Sequence, residues 1–427
     1  MIDPVILKGF RDSLPKDEIP KKKIMRKLED VFSSYGFVPI DTPVLEYTEV
    51  LLGKGGGETD KQIFRFSDNG GRDVAMRFDL TVPFARFMAS HHDEVGVPFK
   101  RYHISKVWRG ENPQKGRYRE FIQCDFDIVG ADNAISDTEI LSMMHKSFQS
   151  LGIERYTFHI SHRGMFSAYL EKEGLSEKAV DILRTVDKLR KIGSDETKRL
   201  LVEITGSEEK ADGILAFITA GKDSGFMETV EKLEALSGGR NESSERMREI
   251  YTLLSSLGIE KSFVFDSSIT RGLDYYTGIV YETFLDDLPS IGSVCSGGRY
   301  NDLASLYMKE KLPGVGSSIG LDRLLAALEE LKSPLLAETA SADLLIIPVK
   351  RNESKALEKA EEMRRKGIRA EVYLVPDAKM KKIYSYAETN RIPYMLTFTD
   401  TGCEIKNLST REMMSEEEAL LKLGADA

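Results

Sequence analysis

Ser268-Ile269-Thr270-Arg271-Gly272-Leu273-Asp274-Tyr275-Tyr276-Thr277-Gly278-Ile279-Val280-Tyr281-Glu282 changes character at Gly272. From Leu273 onward β-branched and aromatic residues dominate, and the glycine breaks the chain just before them, which predicts a strand. Side chains alternate between faces, so Leu273, Tyr275, Thr277, Ile279 and Tyr281 share one side. Asp274, Tyr276, Gly278, Val280 and Glu282 share the other, with Arg271 at the strand mouth. Two carboxylates, a phenol and a glycine are an odd set for a core, because buried charge is costly unless paired or used. Either this face is half exposed and solvated, or it lines a site for a polar ligand.

A second dense block covers residues 99–130. Tyr102-His103-Ile104-Ser105-Lys106-Val107-Trp108-Arg109-Gly110-Glu111 reads as a strand ending at Arg109, and Glu120-Phe121-Ile122-Gln123-Cys124-Asp125-Phe126-Asp127-Ile128-Val129-Gly130 as a returning one. The loop between them, Asn112-Pro113-Gln114-Lys115-Gly116-Arg117-Tyr118-Arg119, carries three cations. Alternation places Phe121, Gln123, Asp125 and Asp127 on one face and Ile122, Cys124, Phe126 and Ile128 on the other. Acids facing arginines across such a hairpin are either simple cross-strand pairs, worth about 0.2–1 kcal/mol each, or part of a ligand site.

Around these blocks the chain alternates helices and strands. Ile24, Leu28, Val31, Phe32 and Tyr35 recur at helical spacing and Gly36 ends the helix; the extended run Phe37-Val38-Pro39-Ile40-Asp41-Thr42-Pro43-Val44-Leu45-Glu46 follows. The basic run Lys21-Lys22-Lys23 reads as a solvated face. Lys54-Gly55-Gly56-Gly57-Glu58-Thr59-Asp60 has neither Walker nor Rossmann spacing, and is a mobile loop near a site or a plain turn. Ile140, Leu141, Met144, Phe148 and Leu151 mark an amphipathic helix over residues 137–152, and residues 164–250 are charged and strongly helical. The adjacent Gly297 and Gly298 let backbone approach a ligand or another strand closely. Beyond a linker at residues 332–341, the apolar run from Leu344 to Val349, a charged helix over residues 353–366 and a strand over residues 369–375 suggest a small α/β domain with parallel pairing.

Length and composition set the outer bounds. A chain of 427 residues exceeds what one core fills, so about two to three domains are expected. Hydrophobic and charged shares of 41% and 30% are those of a soluble globular protein, and no run approaches the ~18 apolar residues of a membrane span. The start lacks the pattern of a secretory signal. Cys124, Cys295 and Cys403 are too few and too scattered for a disulfide framework or zinc knuckle, and a reducing cytoplasm fits best. The histidines have no ligand spacing and read as non-catalytic, and no Ser–His or Cys–His nucleophile is suggested. A net charge of −9 argues against indiscriminate coating of nucleic acid, and leaves open a partner that needs only local basic surface.

The order Arg271-Gly272-Leu273-Asp274-Tyr275-Tyr276-Thr277-Gly278 resembles the histidine-specific motif of histidyl-tRNA synthetases. The resemblance extends over nearly the whole chain. Residues 8–15 look like the family's opening, with Phe10 where Thr is frequent; the first helix and the segment ending at Pro43 are similar to motif 1 of class II synthetases, which builds a dimer interface. The hairpin at 101–130 resembles motif 2, and Gly314-Val315-Gly316-Ser317-Ser318-Ile319-Gly320-Leu321-Asp322-Arg323-Leu324 resembles motif 3, with Ser317 in a slot usually apolar or aromatic.

The resemblance implies an α+β catalytic domain on an antiparallel sheet (residues 1–163 and 251–331), a helical insertion (164–250) and a C-terminal α/β anticodon-binding domain (342–427). It implies a cytoplasmic homodimer, without membrane attachment, that acts on ATP, L-histidine and tRNA(His), with Mg2+ accompanying the ATP and no separate metal site. Arg109 and Arg271 would be catalytic, Arg271 taking the place that a metal ion fills in related enzymes. Asp79, Leu80, Thr81, Arg109, Gln123, Asp127, Arg271, Tyr275, Tyr276 and Tyr300 would hold histidine. Arg109, Glu111, Arg117 and Arg323 would hold ATP. Lys379, Lys381 and Lys382 form a basic cluster that faces tRNA or is merely solvated. A non-catalytic relative, the regulatory subunit of ATP phosphoribosyltransferase, shares the catalytic fold; it typically lacks the C-terminal domain and part of the arginine set, both of which this chain carries.

Overall fold

The computed structural model describes residues 1–53, 62–269, 276–337, 340–348, 353–376, 378–399 and 402–424. Arg271 and Tyr275, the start of the strand expected from Leu273, and the glycine-rich loop at residues 54–60 lie outside them. The chain forms two compact units, residues 1–12 with 23–335 and residues 13–22 with 336–427.

Helix α1 (Pro15–Ser34) buries Ile24, Leu28, Val31 and Phe32 at the expected spacing, and Gly36, with a φ of +77°, turns the chain out of it. Strands β1 (Val38–Pro39) and β2 (Leu45–Tyr47) follow, then α2 (Thr48–Leu52), β3 (Arg65–Ser67), β4 (Asp73–Met76) and α3 (Thr81–Val95). Next come the two long strands β5 (Phe99–Trp108) and β6 (Glu120–Val129), paired antiparallel with Trp108 opposite Glu120. Helix α4 (Ala134–Ser150) and strand β7 (Tyr156–His162) lead into the helical stretch: α5 (Arg163–Lys172), α6 (Ala179–Val186), α7 (Leu189–Ile192), α8 (Ser194–Thr205), α9 (Glu208–Thr219), α10 (Phe226–Ser237) and α11 (Glu242–Ser256). The unit closes with β8 (Phe263–Phe265), β9 (Ile279–Leu285), β10 (Cys295–Tyr300), β11 (Gly314–Gly320) and α12 (Leu321–Glu330).

Eight of these strands build one sheet in the order β1-β5-β6-β11-β10-β9-β7-β8, antiparallel except for the outer pairs β1–β5 and β7–β8. The alternation read in β6 holds. Cys124, Phe126 and Ile128 are buried, with Phe126 4.9 Å from the ring of Phe32 on α1. Gln123, Asp125 and Asp127 take the opposite face. The strand that carries Ile279 begins later than the composition suggests. Short of it, the carbonyl of Gly278 still takes the amide of Arg163 opposite it, whereas that of Tyr276 is taken by the Arg163 side chain.

The second unit holds β12 (Leu344–Ile346), α13 (Glu353–Arg365), β13 (Ala370–Val372), α14 (Met380–Thr389), β14 (Tyr394–Thr399), β15 (Gly402–Asn407), β16 (Met413–Met414) and α15 (Glu416–Gly424). The sheet order is β13-β12-β14-β15-β16, with parallel pairing around β12 and antiparallel pairing beyond β14. Leu344 and Ile346 pack with Ala356, Ala360 and Met363 of α13, and Leu345 packs with Ile383 and Ala387 of α14, so helices cover both faces of β12. That arrangement explains why β12 reads as an uninterrupted apolar run.

Candidate active site

A cavity of about 300 Å3 lies over the polar face of the large sheet. Its wall takes Arg109 and Glu111 from just beyond β5, Arg117 and Tyr118 from the hairpin loop, and Phe121 and Gln123 from β6. Asp79 and Thr81 join from the start of α3, Tyr276 and Glu282 from the β9 region, Ser318 from β11, and Asp322 and Arg323 from α12. Arg109 donates from Nε to the carbonyl of Phe78 at 2.9 Å and lies 5.1 Å over the ring of Phe121. Arg117 Nη1 is 3.5 Å from the Glu111 carboxylate. Arg323 donates to the carbonyl of Ser293, and burial, reinforced by the nearby Arg117, pushes its pKa down to about 10. Desolvation and cation–cation repulsion are both relieved by an anion. Three guanidinium groups around one cavity therefore constitute a receptor for phosphate or carboxylate.

The other polar residues differ in what they leave unpaired. Asp79 accepts the amide of Val82 through Oδ1 at 3.1 Å, at the start of α3, while its buried Oδ2 has no hydrogen-bond partner among the described residues. Burial raises its pKa to about 6. Gln123 donates from Nε2 to Ser318 Oγ at 2.8 Å and to Asp125 Oδ1 at 3.3 Å, leaving Oε1 buried and, among the described residues, unpartnered. Two buried acceptors without donors suit a ligand ammonium. Asp322 is already engaged: it receives the amide of Ile122 at 2.7 Å and the guanidinium of Arg11, which lies 4.0 Å over the ring of Tyr118.

Not every residue named from sequence reaches the cavity wall. Leu80 is fully buried at the start of α3. Asp127 and Tyr300 pair deeper in the sheet: Tyr300 Oη donates to Asp127 Oδ1 at 2.5 Å, and Arg101, directly opposite on β5, stands 2.7 Å from Oδ2. Arg101 is fully buried over the ring of Phe84 at 4.3 Å. Glycines make room for this layer. A Cβ on Gly316 would fall 1.9 Å from Asp127 Oδ1, and one on Gly298 would fall 3.0 Å from the ring of Tyr276. Sequence reading missed Arg101, Ser318, Asp322 and Arg11. Arg101 was within reach, since pairing the strands back from the loop sets it opposite Asp127. The others depend on contacts between distant segments.

A largely antiparallel sheet whose long hairpin presents arginines to a polar cavity, closed by a strand running into an arginine-bearing helix, is the catalytic architecture of a class II aminoacyl-tRNA synthetase. Residues 9–324 match the sequence profile of histidyl-tRNA synthetases, and residues 343–425 match that of an anticodon-binding domain. The chain belongs to the histidyl-tRNA synthetase family. It is 55% identical over 408 residues to a protein of Treponema denticola named histidine–tRNA ligase, covering 94% of this chain and 90% of that one. A Rhodopirellula baltica protein of the same name is 44% identical over 424 residues, 96% and 95% of the two chains. The crystal structure of histidyl-tRNA synthetase from Nostoc sp. PCC 7120 superposes with a TM-score of 0.88 at 27% identity, covering 100% of both chains. Among the described residues, no helix is long and apolar enough to cross a membrane.

Proposed function

We propose that this chain activates L-histidine with ATP and transfers it to the 3′ end of tRNA(His). In the first step a carboxylate oxygen of histidine attacks the α-phosphorus of ATP, the bond to the bridging oxygen breaks, and diphosphate leaves with the charge. Negative charge moves over the phosphoryl oxygens, so cations fixed beforehand lower the barrier. Arg109 bridges the α-phosphate and the histidine carboxylate, Arg117 takes the outer phosphates with Glu111 steering it, and Arg323 covers the adenine. Arg271 has its role by family resemblance alone. Asp79, Thr81 and Gln123 receive the ammonium, with Leu80 carrying the turn between the first two. Tyr276 and Asp127, the latter held by Tyr300, supply the donor and acceptor that pick out an imidazole; Tyr275, like Arg271, has its role by family resemblance alone. A site whose buried polar groups go unpaired with the wrong ligand rejects it by roughly 10⁴–10⁵-fold.

Among the described residues, no three His, Cys, Asp or Glu side chains converge to hold a metal ion. The cavity wall does offer the carboxylates of Glu111 and Glu282. That donor set fits magnesium arriving on ATP and keeping most of its water. When bound, the ion would neutralise charge on the outer phosphates.

Residues 1–163 with 251–331 serve as the catalytic domain, 164–250 as the insertion and 342–427 as the tRNA-binding end, where exposed Lys379, Lys381 and Lys382 favour phosphate contact. A homodimer through the segment around Pro43 is supported by the exposed Val38, Val44, Leu45 and Tyr47 there. The protein would work in the cytoplasm. The observation that carries the reading is the meeting, in one cavity, of Arg109, Arg117 and Arg323 with the unpartnered acceptors of Asp79 and Gln123. Histidine-dependent exchange of diphosphate into ATP, followed by charging of tRNA(His), tests it. Exchange that is indifferent to histidine would overturn it.

A further inference from the structure

One row of polar side chains crosses the sheet under the cavity. Register sets His103 opposite Asp125, Asp125 opposite Ser318, Ser318 opposite Ser296, and Ser296 opposite Glu282. Ser318, Ser296 and Glu282 line the cavity; Asp125 is 1% exposed behind them. Next to this row on β6 sits Gln123, whose amide has two donor hydrogens and two acceptor lone pairs. Both donors are used within the protein, on Ser318 Oγ at 2.8 Å and on Asp125 Oδ1 at 3.3 Å. Ser318 and Asp125 stand directly opposite each other on β11 and β6, so the amide nitrogen is held between the hydroxyl and the carboxylate. Turning the amide over would set its oxygen against the Asp125 carboxylate, acceptor to acceptor once that group, whose pKa burial pushes up to about 7, is ionised. The two residues thus dictate which end of the amide is left over, and it is Oε1, buried without a partner among the described residues.

We propose that Ser318 and Asp125 are positioning residues that lock the Gln123 amide so that its oxygen is reserved for the α-ammonium group of the bound amino acid, and thereby make the site selective for an α-amino acid over the same carboxylic acid lacking the amine. The inference rests on the histidine-binding reading above. A ligand with an ammonium satisfies Oε1 together with Asp79 Oδ2. One without it leaves both acceptors buried and unpaired, which costs binding. A free amide would rotate and adapt to either ligand.

The test uses the full-length protein with histidine as substrate and imidazolepropionic acid, its des-amino counterpart, as competitor in diphosphate exchange. Ser318→Ala is expected to raise KM for histidine about tenfold while kcat changes less than about twofold and the inhibition constant of the des-amino acid stays put. Ser318→Thr, which keeps the hydroxyl, is expected to restore KM. Assayed at about pH 8.5, where the Asp125 carboxyl is ionised and only accepts, Asp125→Asn introduces a group able to donate to Oε1 and should give the same split independently, including where Ser318→Ala melts too early to assay. An unchanged histidine KM in both variants overturns the inference. So does equal weakening of both ligands, which would make the pair a matter of pocket shape. Wild-type protein without histidine-dependent exchange would instead overturn the reading on which the inference rests.

Discussion

Arg101 and Arg109 stand on the same strand line, eight residues apart by number and on the same face, yet they live in opposite surroundings. Arg101 is sealed inside the sheet, 2.7 Å from Asp127 and over the ring of Phe84. Arg109 sits one residue past the end of β5, in the cavity wall, and among the described residues it forms no ion pair. The difference is register. Arg101 is directly opposite Asp127, whereas at Arg109 the ladder ends on the backbone carbonyl of Arg119. The protein supplies the counter-charge for one arginine and leaves the other for a ligand.

If that contrast is sound, the two arginines fail in different ways. Arg101→Leu leaves the Asp127 carboxylate buried and uncompensated, so urea unfolding should show a loss of about 3–5 kcal/mol, and Arg101→Leu with Asp127→Leu should recover most of it. A small loss for the single variant would mean that water reaches Asp127. Arg109→Ala should instead lower kcat for diphosphate exchange by about 10²–10³ and leave the unfolding midpoint nearly in place, as for loss of a preorganised transition-state donor. A variant that melts early but is active while folded would reverse the assignment.

Asp79 sharpens the comparison from the acidic side. Its pKa rises from an ordinary 3.8 to about 6 because it is buried, so the folded state favours the protonated form. The cost of ionising it is absent below pH ~4, grows as pH rises toward 6, and is complete above that. Asp79→Asn should therefore stabilise the ligand-free protein by about 1–3 kcal/mol at pH 8 and by nothing near pH 4, while raising KM for histidine. Thermal melting at the two pH values, with exchange kinetics at pH 8, separates these effects; a variant destabilised at pH 8 would mean that the charge is already compensated inside the protein. The smallest effect is expected in the second unit. Lys381→Ala with Lys382→Ala should raise KM for tRNA(His) severalfold at low salt and less at high salt, with exchange untouched. Unchanged charging would make those lysines a solvated face.

Much of this was legible in the chain because it rests on short-range periodicity. Alternation in residues 120–129 set Gln123, Asp125 and Asp127 on one face before any partner was known, and spacing of three and four residues marked the buried stripe of α1. The sheet of the second unit was half legible. The apolar run of β12 and the charged helix after it stood out, whereas β14 to β16 were not anticipated, because their burial comes from pairing with one another.

The sequence by itself determined the elements, the glycines that clear space beside Asp127 and Tyr276, and, by resemblance, the family. Tertiary structure alone decided which charges are spent inside the protein and which are left over. Gln123 meets Ser318 across 195 positions and Arg11 meets Asp322 across 311, separations at which no local pattern carries information. Pairing register brings such residues together, and register follows from packing the whole sheet, since a slip of one residue would exchange its buried and polar faces.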